Sequence, residues 1–194
     1  MAMPPVREKP LIFLDVETSG LDPNIQEILE ICLMDKDGNI LLHSKVKPQN
    51  IETAHPKALK INGYNEKDWE LAPSFRDLAP KIHELLKWAI AAGHNPGFDL
   101  GFIKAELKRA DPTGDLGYLK GIGYHLVDTV SLAYEQLSDC GLTGLSLITV
   151  CNFLGVELKN AHSAVADTEA ARQCYFKMHQ ASWMDRRRWK RANR

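Results

Sequence analysis

Five side chains define the chemistry open to this sequence: Asp15, Glu17, Asp99, His162 and Asp167. Asp15 and Glu17 lie within Leu11-Ile-Phe-Leu-Asp-Val-Glu-Thr-Ser-Gly-Leu21, which reads as a strand over 11–17 followed by a turn. Alternation puts Leu11, Phe13, Asp15 and Glu17 on one face and Ile12, Leu14 and Val16 on the other. Apolar residues on both faces mark a strand in the middle of a sheet. Two carboxylates at the end of such a strand repel each other and resist desolvation, and a divalent cation between them relieves both costs. Taken alone, Asp-x-Glu is more often a strand tip emerging into water, so the case rests on its company. Asp99 follows Asn95-Pro96-Gly97 and by itself would be an acid favoured by a helix N-terminus. His162 stands just before a helix in which Ala164, Asp167 and Ala171 share one face. Four acids and one imidazole suit phosphodiester hydrolysis with two divalent ions about 4 Å apart. The hard oxygen donors favour magnesium or manganese over zinc. A histidine, titrating near neutrality, can take the proton of an attacking water.

The elements that must position these groups are legible in outline. Strands are expected over 28–34 and 40–46, joined by the hairpin signal Asp35-Lys-Asp-Gly-Asn39. The stretch 48–65 is polar and irregular, with a short helix over 56–60. Ser74 caps a helix expected over 75–89. A short strand over 89–94 leads into a helix over 98–109, and another strand over 124–128 leads into a helix over 129–137. Helices over 145–154, ended by Gly155, and over 163–183 complete the series. Three antiparallel strands followed by two strands set apart by helices make an α/β chain with a mixed sheet.

Composition narrows the class. At 194 residues, with 44% hydrophobic and 25% charged residues, the chain suits one ordinary globular domain. No apolar run approaches the ~20 residues of a membrane span, and the N-terminal ten residues lack the apolar core of a secretory signal. A cytoplasmic protein without a membrane partner is the expectation. Cys32, Cys140, Cys151 and Cys174 show no paired spacing and read as structural thiols. The last ten residues hold five arginines and one lysine against one aspartate, although the whole chain carries a net charge of -1. An acidic body thus ends in a basic, tryptophan-bearing tail, which reads either as a frayed, solvated helix end or as a grip on phosphate backbone.

Asp15-Val-Glu17-Thr18, Gly93-His-Asn95-Pro-Gly-Phe98-Asp99 and His162-x-Ala164-x-x-Asp167 resemble, in that order, the three motifs of the DEDDh 3′–5′ exonuclease superfamily. That group includes the proofreading subunit of bacterial replicative polymerases, ribonuclease T and oligoribonuclease. The resemblance runs over about 11–176 and implies a ribonuclease H-like fold with a five-stranded mixed sheet, three strands antiparallel and then two parallel. It implies Asp15, Glu17, Asp99 and Asp167 as ligands of two Mg2+ or Mn2+ ions and His162 as general base. Asn95, within the second motif, joins Thr18, Leu21, Phe98 and Phe102 as the residues expected around the terminal nucleotide. The two phenylalanines fit a buried helical face equally well. His55 belongs to a loop that the superfamily places by the site. The implied division is a flexible lead over 1–9, an exonuclease domain over 10–182 and a basic tail over 183–194. The implied partner is the 3′ end of a single strand, DNA or RNA, with a homodimer or a polymerase partner left open. A nucleic-acid-binding scaffold without turnover, or a phosphodiesterase for short oligonucleotides, are the competing readings.

Overall fold

In the computed structural model, which describes residues 5–159 and 162–192, a five-stranded mixed sheet runs in the order β3-β2-β1-β4-β5. Its strands are β1 (Leu11–Thr18), β2 (Ile28–Asp35), β3 (Ile40–Lys45), β4 (Ile90–Gly93) and β5 (His125–Asp128). The helices are α1 (Pro56–Ile61), α2 (Glu66–Trp69), α3 (Phe75–Leu86), α4 (Pro96–Ala110), α5 (Thr129–Leu137), α6 (Leu147–Leu154), α7 (Ala164–His179) and α8 (Trp183–Ala192). β1 pairs antiparallel with β2 and parallel with β4, β2 pairs antiparallel with β3, and β4 pairs parallel with β5. This is the mixed sheet expected from the sequence, with the double-faced apolar strand at its centre.

Each face of β1 has its own cover. Ile12, Leu14 and Val16 join Ile82, Leu86, Phe102, Ile103 and Leu107 of α3 and α4 in the larger core. On the opposite face Phe13 packs with Cys32, Met34 and Ala92 against Ala164, and Tyr175 and Phe176 of α7 lie over it. Ala164 is fully buried, so the small residue expected to let α7 approach the sheet does so. The β2–β3 turn is tied by Asp35 Oδ1, which accepts the N–H groups of Asp37 and Asn39, both at 2.9 Å. Each of the four cysteines is free and buried. Among the described residues no helix is long and apolar enough to cross a membrane.

Three boundaries depart from the sequence reading. The helix expected over 75–89 stops at Leu86, because Lys87 turns extended and Trp88 takes a left-handed φ of 65°. The helix expected from 98 begins earlier, at Pro96, which supplies a preset φ at the first helical position. The single helix expected over 163–183 is two. α7 ends at His179, and Ser182 starts α8 by a capping box in which Asp185 Oδ2 accepts from Ser182 N (2.8 Å) and Oγ (2.6 Å). The frayed end is therefore a capped helix, and Trp189 packs against Phe153 of α6 at a ring separation of 6.1 Å. Residues 1–4 of the expected lead, residues 160–161 just before the third motif and residues 193–194 of the tail lie outside the described residues, whereas Val6–Glu8 form a 3-10 turn.

Candidate active site

The site lies outside the carboxyl end of β1, where the sheet opens. The parallel ladder between β1 and β4 ends at Phe13 and Ala92. Gly93 then passes so close to β1 that a Cβ there would stand 2.8 Å from the Leu14 carbonyl oxygen, so only glycine allows this approach. Beyond it the strands part, and Asp99 Oδ1 fills the gap by accepting the Val16 N–H at 2.9 Å. Asp99 is aimed there by the start of α4. Asn95, left-handed with φ 68°, donates its N–H to Asp128 Oδ1 at 3.0 Å, and Pro96 opens the helix. Crevices beyond the carboxyl ends of parallel strands are the usual ligand sites of open α/β sheets.

From the other face, the first turn of α7 brings Asp167 to the same place. Its Oδ2 accepts the backbone N–H of His162 at 3.1 Å, which holds His162 at the mouth of the crevice in a left-handed conformation with φ 70°. Its Oδ1 is buried and has no hydrogen-bond partner. Donor atoms of Glu17, His162 and Asp167 lie within 4.8 Å of one another, and the His162 side chain is exposed.

The electrostatics set these acids apart. Loss of hydration, then the charges of Asp99, Glu17 and Asp167, push the Asp15 carboxyl well above the usual range. Burial, then Asp167 and Glu30, raises Glu17 to about 7. Burial raises Asp99 to about 7 against the opposing effect of the Val16 N–H. Asp167 is raised by burial and partly relieved by His162. Four acids that favour protonation through proximity and desolvation, one with an orphaned oxygen, form a donor set that fits a divalent cation.

The sequence reading overlooked one acid of this neighbourhood. Glu30 is the register partner of Glu17 across the β1–β2 ladder and so shares its face, and its charge raises Asp15, Glu17 and Asp167. His43 Nε2 lies 2.7 Å from Glu30 Oε1. The available signal was a lone charge in the apolar run Ile28-Leu-Glu-Ile-Cys-Leu-Met34.

The residues expected around a nucleotide divide. Thr18, Leu21 and Phe98 line one cleft of about 510 Å³ beside Glu17, together with His55 and Ile61. The cleft wall is mostly apolar, and Leu21, 83% exposed, stands at its edge. His55 is held there by its N–H, donated to the Ser19 carbonyl at 2.7 Å, while its Nδ1 accepts the Lys57 N–H and caps α1. Asn62 Nδ2 ties the far side of that loop to the Thr18 carbonyl at 2.9 Å. Asn95 and Phe102 do not line the cleft. Phe102 is fully buried and backs Phe98 at a ring separation of 5.0 Å, so of the two expected roles it takes core packing. Asn95 acts through its backbone at the α4 N-cap.

Known proteins share this chain's family and fold. The family model RNase_T, described as exonuclease, matches residues 12–175. The DNA polymerase III PolC-type of Caldanaerobacter subterraneus subsp. tengcongensis is 29% identical over 178 residues, which cover 88% of this chain but 12% of that protein. The ribonuclease T of Vibrio vulnificus is 28% identical over 185 residues, covering 84% of this chain and 81% of that protein. Among solved structures, the zinc-bound form of the E. coli ExoI complex with single-stranded DNA superposes with a TM-score of 0.72 at 21% identity, over 95% of this chain and 42% of that one. That last likeness is one of fold, and it fits the ribonuclease H-like architecture expected. With its family model spanning all five site residues, the chain belongs to the RNase_T exonuclease family.

Proposed function

We propose that this protein removes nucleoside 5′-monophosphates one at a time from the 3′ ends of single-stranded DNA or RNA, using two Mg2+ or Mn2+ ions. The observation that carries the reading is the buried, unpartnered Asp167 oxygen, set beside Glu17 and His162 in a crevice whose acids are all pushed toward protonation. Asp15, Glu17 and Asp167 would hold one ion, Asp15 would reach the second, and Asp99 would support it through water. Such ions neutralise the charge that builds on the phosphate during in-line displacement.

The chain's own groups supply the rest. The exposed His162 ring accepts a proton from the attacking water as the new P–O bond forms. The bond to the 3′ oxygen of the next nucleotide breaks, and that oxygen is protonated from solvent. Phe98, Leu21 and Ile61 offer apolar surface for the terminal base, and stacking of this kind tolerates any base. Residues 10–182 would form the catalytic domain, and the cytoplasm its compartment. A polymerase is the protein partner that the PolC-type relatives suggest, and a second copy is the alternative.

The test follows 5′-labelled single-stranded DNA and RNA with Mg2+, Mn2+ or chelator. Metal-dependent shortening by single nucleotides from the 3′ end is the expected result, and the ratio of the two rates assigns the sugar. Tight metal-dependent binding without cleavage would instead support a scaffold, and cleavage confined to the shortest strands an oligonucleotide phosphodiesterase. His162→Ala should lower kcat by about 10²–10⁴ while leaving divalent-ion binding in place, and full activity of that variant would remove the assigned base.

A further inference from the structure

We infer that α8 is a binding surface for the phosphate backbone of single-stranded nucleic acid, engaged well away from the bond being cleaved. The helix is anchored to the body through the face that carries Trp189 and through Arg186. Trp189 packs into the cluster formed by α5, α6 and α7, Arg186 Nη2 donates to Gln136 Oε1 at 3.1 Å, and the Arg186 carbonyl accepts from Cys140 Sγ at 3.7 Å. Met184, Arg187, Arg188 and Arg191 fall at i, i+3, i+4 and i+7, which places them on the face turned away from Trp189, with Lys190 on its flank. All five are exposed. The helix's one acid, Asp185, is engaged chiefly by the Ser182 cap and feels the charge of Arg188, so it offsets this face only in part.

Charge complementarity selects the occupant. The body outside the C-terminal segment is acidic, and the crevice that must receive a phosphodiester is lined by carboxylates. Without ions in place that crevice offers a strand no attraction, and with them only the terminal phosphodiester is held there, so the rest of the strand needs attraction elsewhere. The arginine face supplies it on a rigid mount, and guanidinium groups suit phosphate. From Asp167 to His179 the axis of α7 covers about 18 Å, and α8 begins beyond that end, so the contact falls on nucleotides distant from the 3′ terminus.

This inference rests on the nuclease reading above, and the experiment separates the two. Binding of the full chain to labelled single strands of about 20 nucleotides is measured by anisotropy in chelator across a salt series. Cleavage of strands of about four nucleotides is measured in parallel with metal. In Arg187→Gln/Arg188→Gln/Arg191→Gln the long strand should bind about tenfold or more weakly, and the slope of log K on log salt should fall by roughly 2, as expected for three lost phosphate contacts. Cleavage of the short strand should be unchanged. Arg187→Lys/Arg188→Lys/Arg191→Lys should restore most of the long-strand affinity, and Arg191→Gln alone should lower the slope by about 0.7. Unaltered affinity and slope in the glutamine variants would overturn the inference. So would loss of binding to poly-glutamate with long-strand binding intact, which would assign the surface to an acidic protein. Absence of short-strand cleavage by the wild type would count against the nuclease reading alone.

Discussion

Two groups of acids, one buried and one half-buried, behave in opposite ways. On the α3–α4 side, Glu27 accepts the N–H of Gln49 at 3.0 Å and that of Asn50 at 2.8 Å, and Glu106 accepts the Ile28 N–H and pairs with Arg109 at 3.0 Å. Arg109 in turn donates to the carbonyls of Pro23 and Gln26. Every charge there has an answer within the chain. At the end of β1, Asp15, Glu17 and Asp167 face one another with few donors, and one Asp167 oxygen has none. Burial alone therefore does not mark a working acid. The mark is burial without partners, since satisfied carboxylates fasten loops whereas unsatisfied ones await a ligand.

Substitutions should separate the two groups. Asp15→Asn removes a charge the fold does not need. Activity on single strands should fall by about 10³-fold or more, while the melting temperature of the chelated protein holds or rises. A melting temperature that collapsed with activity would put Asp15 among the fastening acids. Glu27→Ala should do the reverse, leaving the N–H groups of Gln49 and Asn50 unanswered at a cost of about 2–3 kcal/mol. For a chain of this size that is a fall in melting temperature of roughly 5–10 °C, with kcat changed far less than in Asp15→Asn. An unchanged melting point would break the comparison from that side.

Acidity sharpens the contrast further. Glu17 and Asp99 bind protons more tightly in the folded chain than in the unfolded one, so their contribution to stability is fully present below the unfolded values near 4 and is lost as pH rises through about 7, and Asp15 is shifted in the same direction. The chelated protein should melt lower at pH 8 than at pH 5.5, by on the order of 5 °C. Excess Mn2+ should reduce or reverse the fall. A flat profile in chelator would mean that the acids are answered by something in the chain. The smallest effect belongs to Glu30→Gln, which keeps the fold and weakens the apparent divalent-ion affinity by roughly 2–5-fold, read by titrating activity with Mn2+.

The places of the four acids were legible because each stands near an element's end, a strand terminus for Asp15 and Glu17 and a helix start for Asp99 and Asp167, whereas the roles expected of them and of His162 came from the resemblance of the three motifs. Sheet order was legible for a similar reason, since the Asp35–Asn39 hairpin and the helix-separated strands leave few topologies. Glu30 was not, because its place opposite Glu17 depends on register between two strands, and no single stretch of sequence carries that. Phe98 and Phe102 are four residues apart on one helix face, and only packing decides that one lines the cleft while the other is sealed beneath it. The break before α8 was written in Ser182-Trp-Met-Asp185, but the apolar spacing of 163–183 hid it.

The bond from Val16 N–H to Asp99 Oδ1 has a practical consequence for preparing an idle form of this protein. Alanine at 99 would delete an acid and also leave a buried backbone donor exposed to nothing, so its inactivity would be hard to interpret. Asparagine keeps a carbonyl oxygen at the same place while surrendering the charge. Asp99→Asn is thus the form suited to trapping an uncut strand for crystallisation, with the floor of the crevice still stitched to the helix that bounds it.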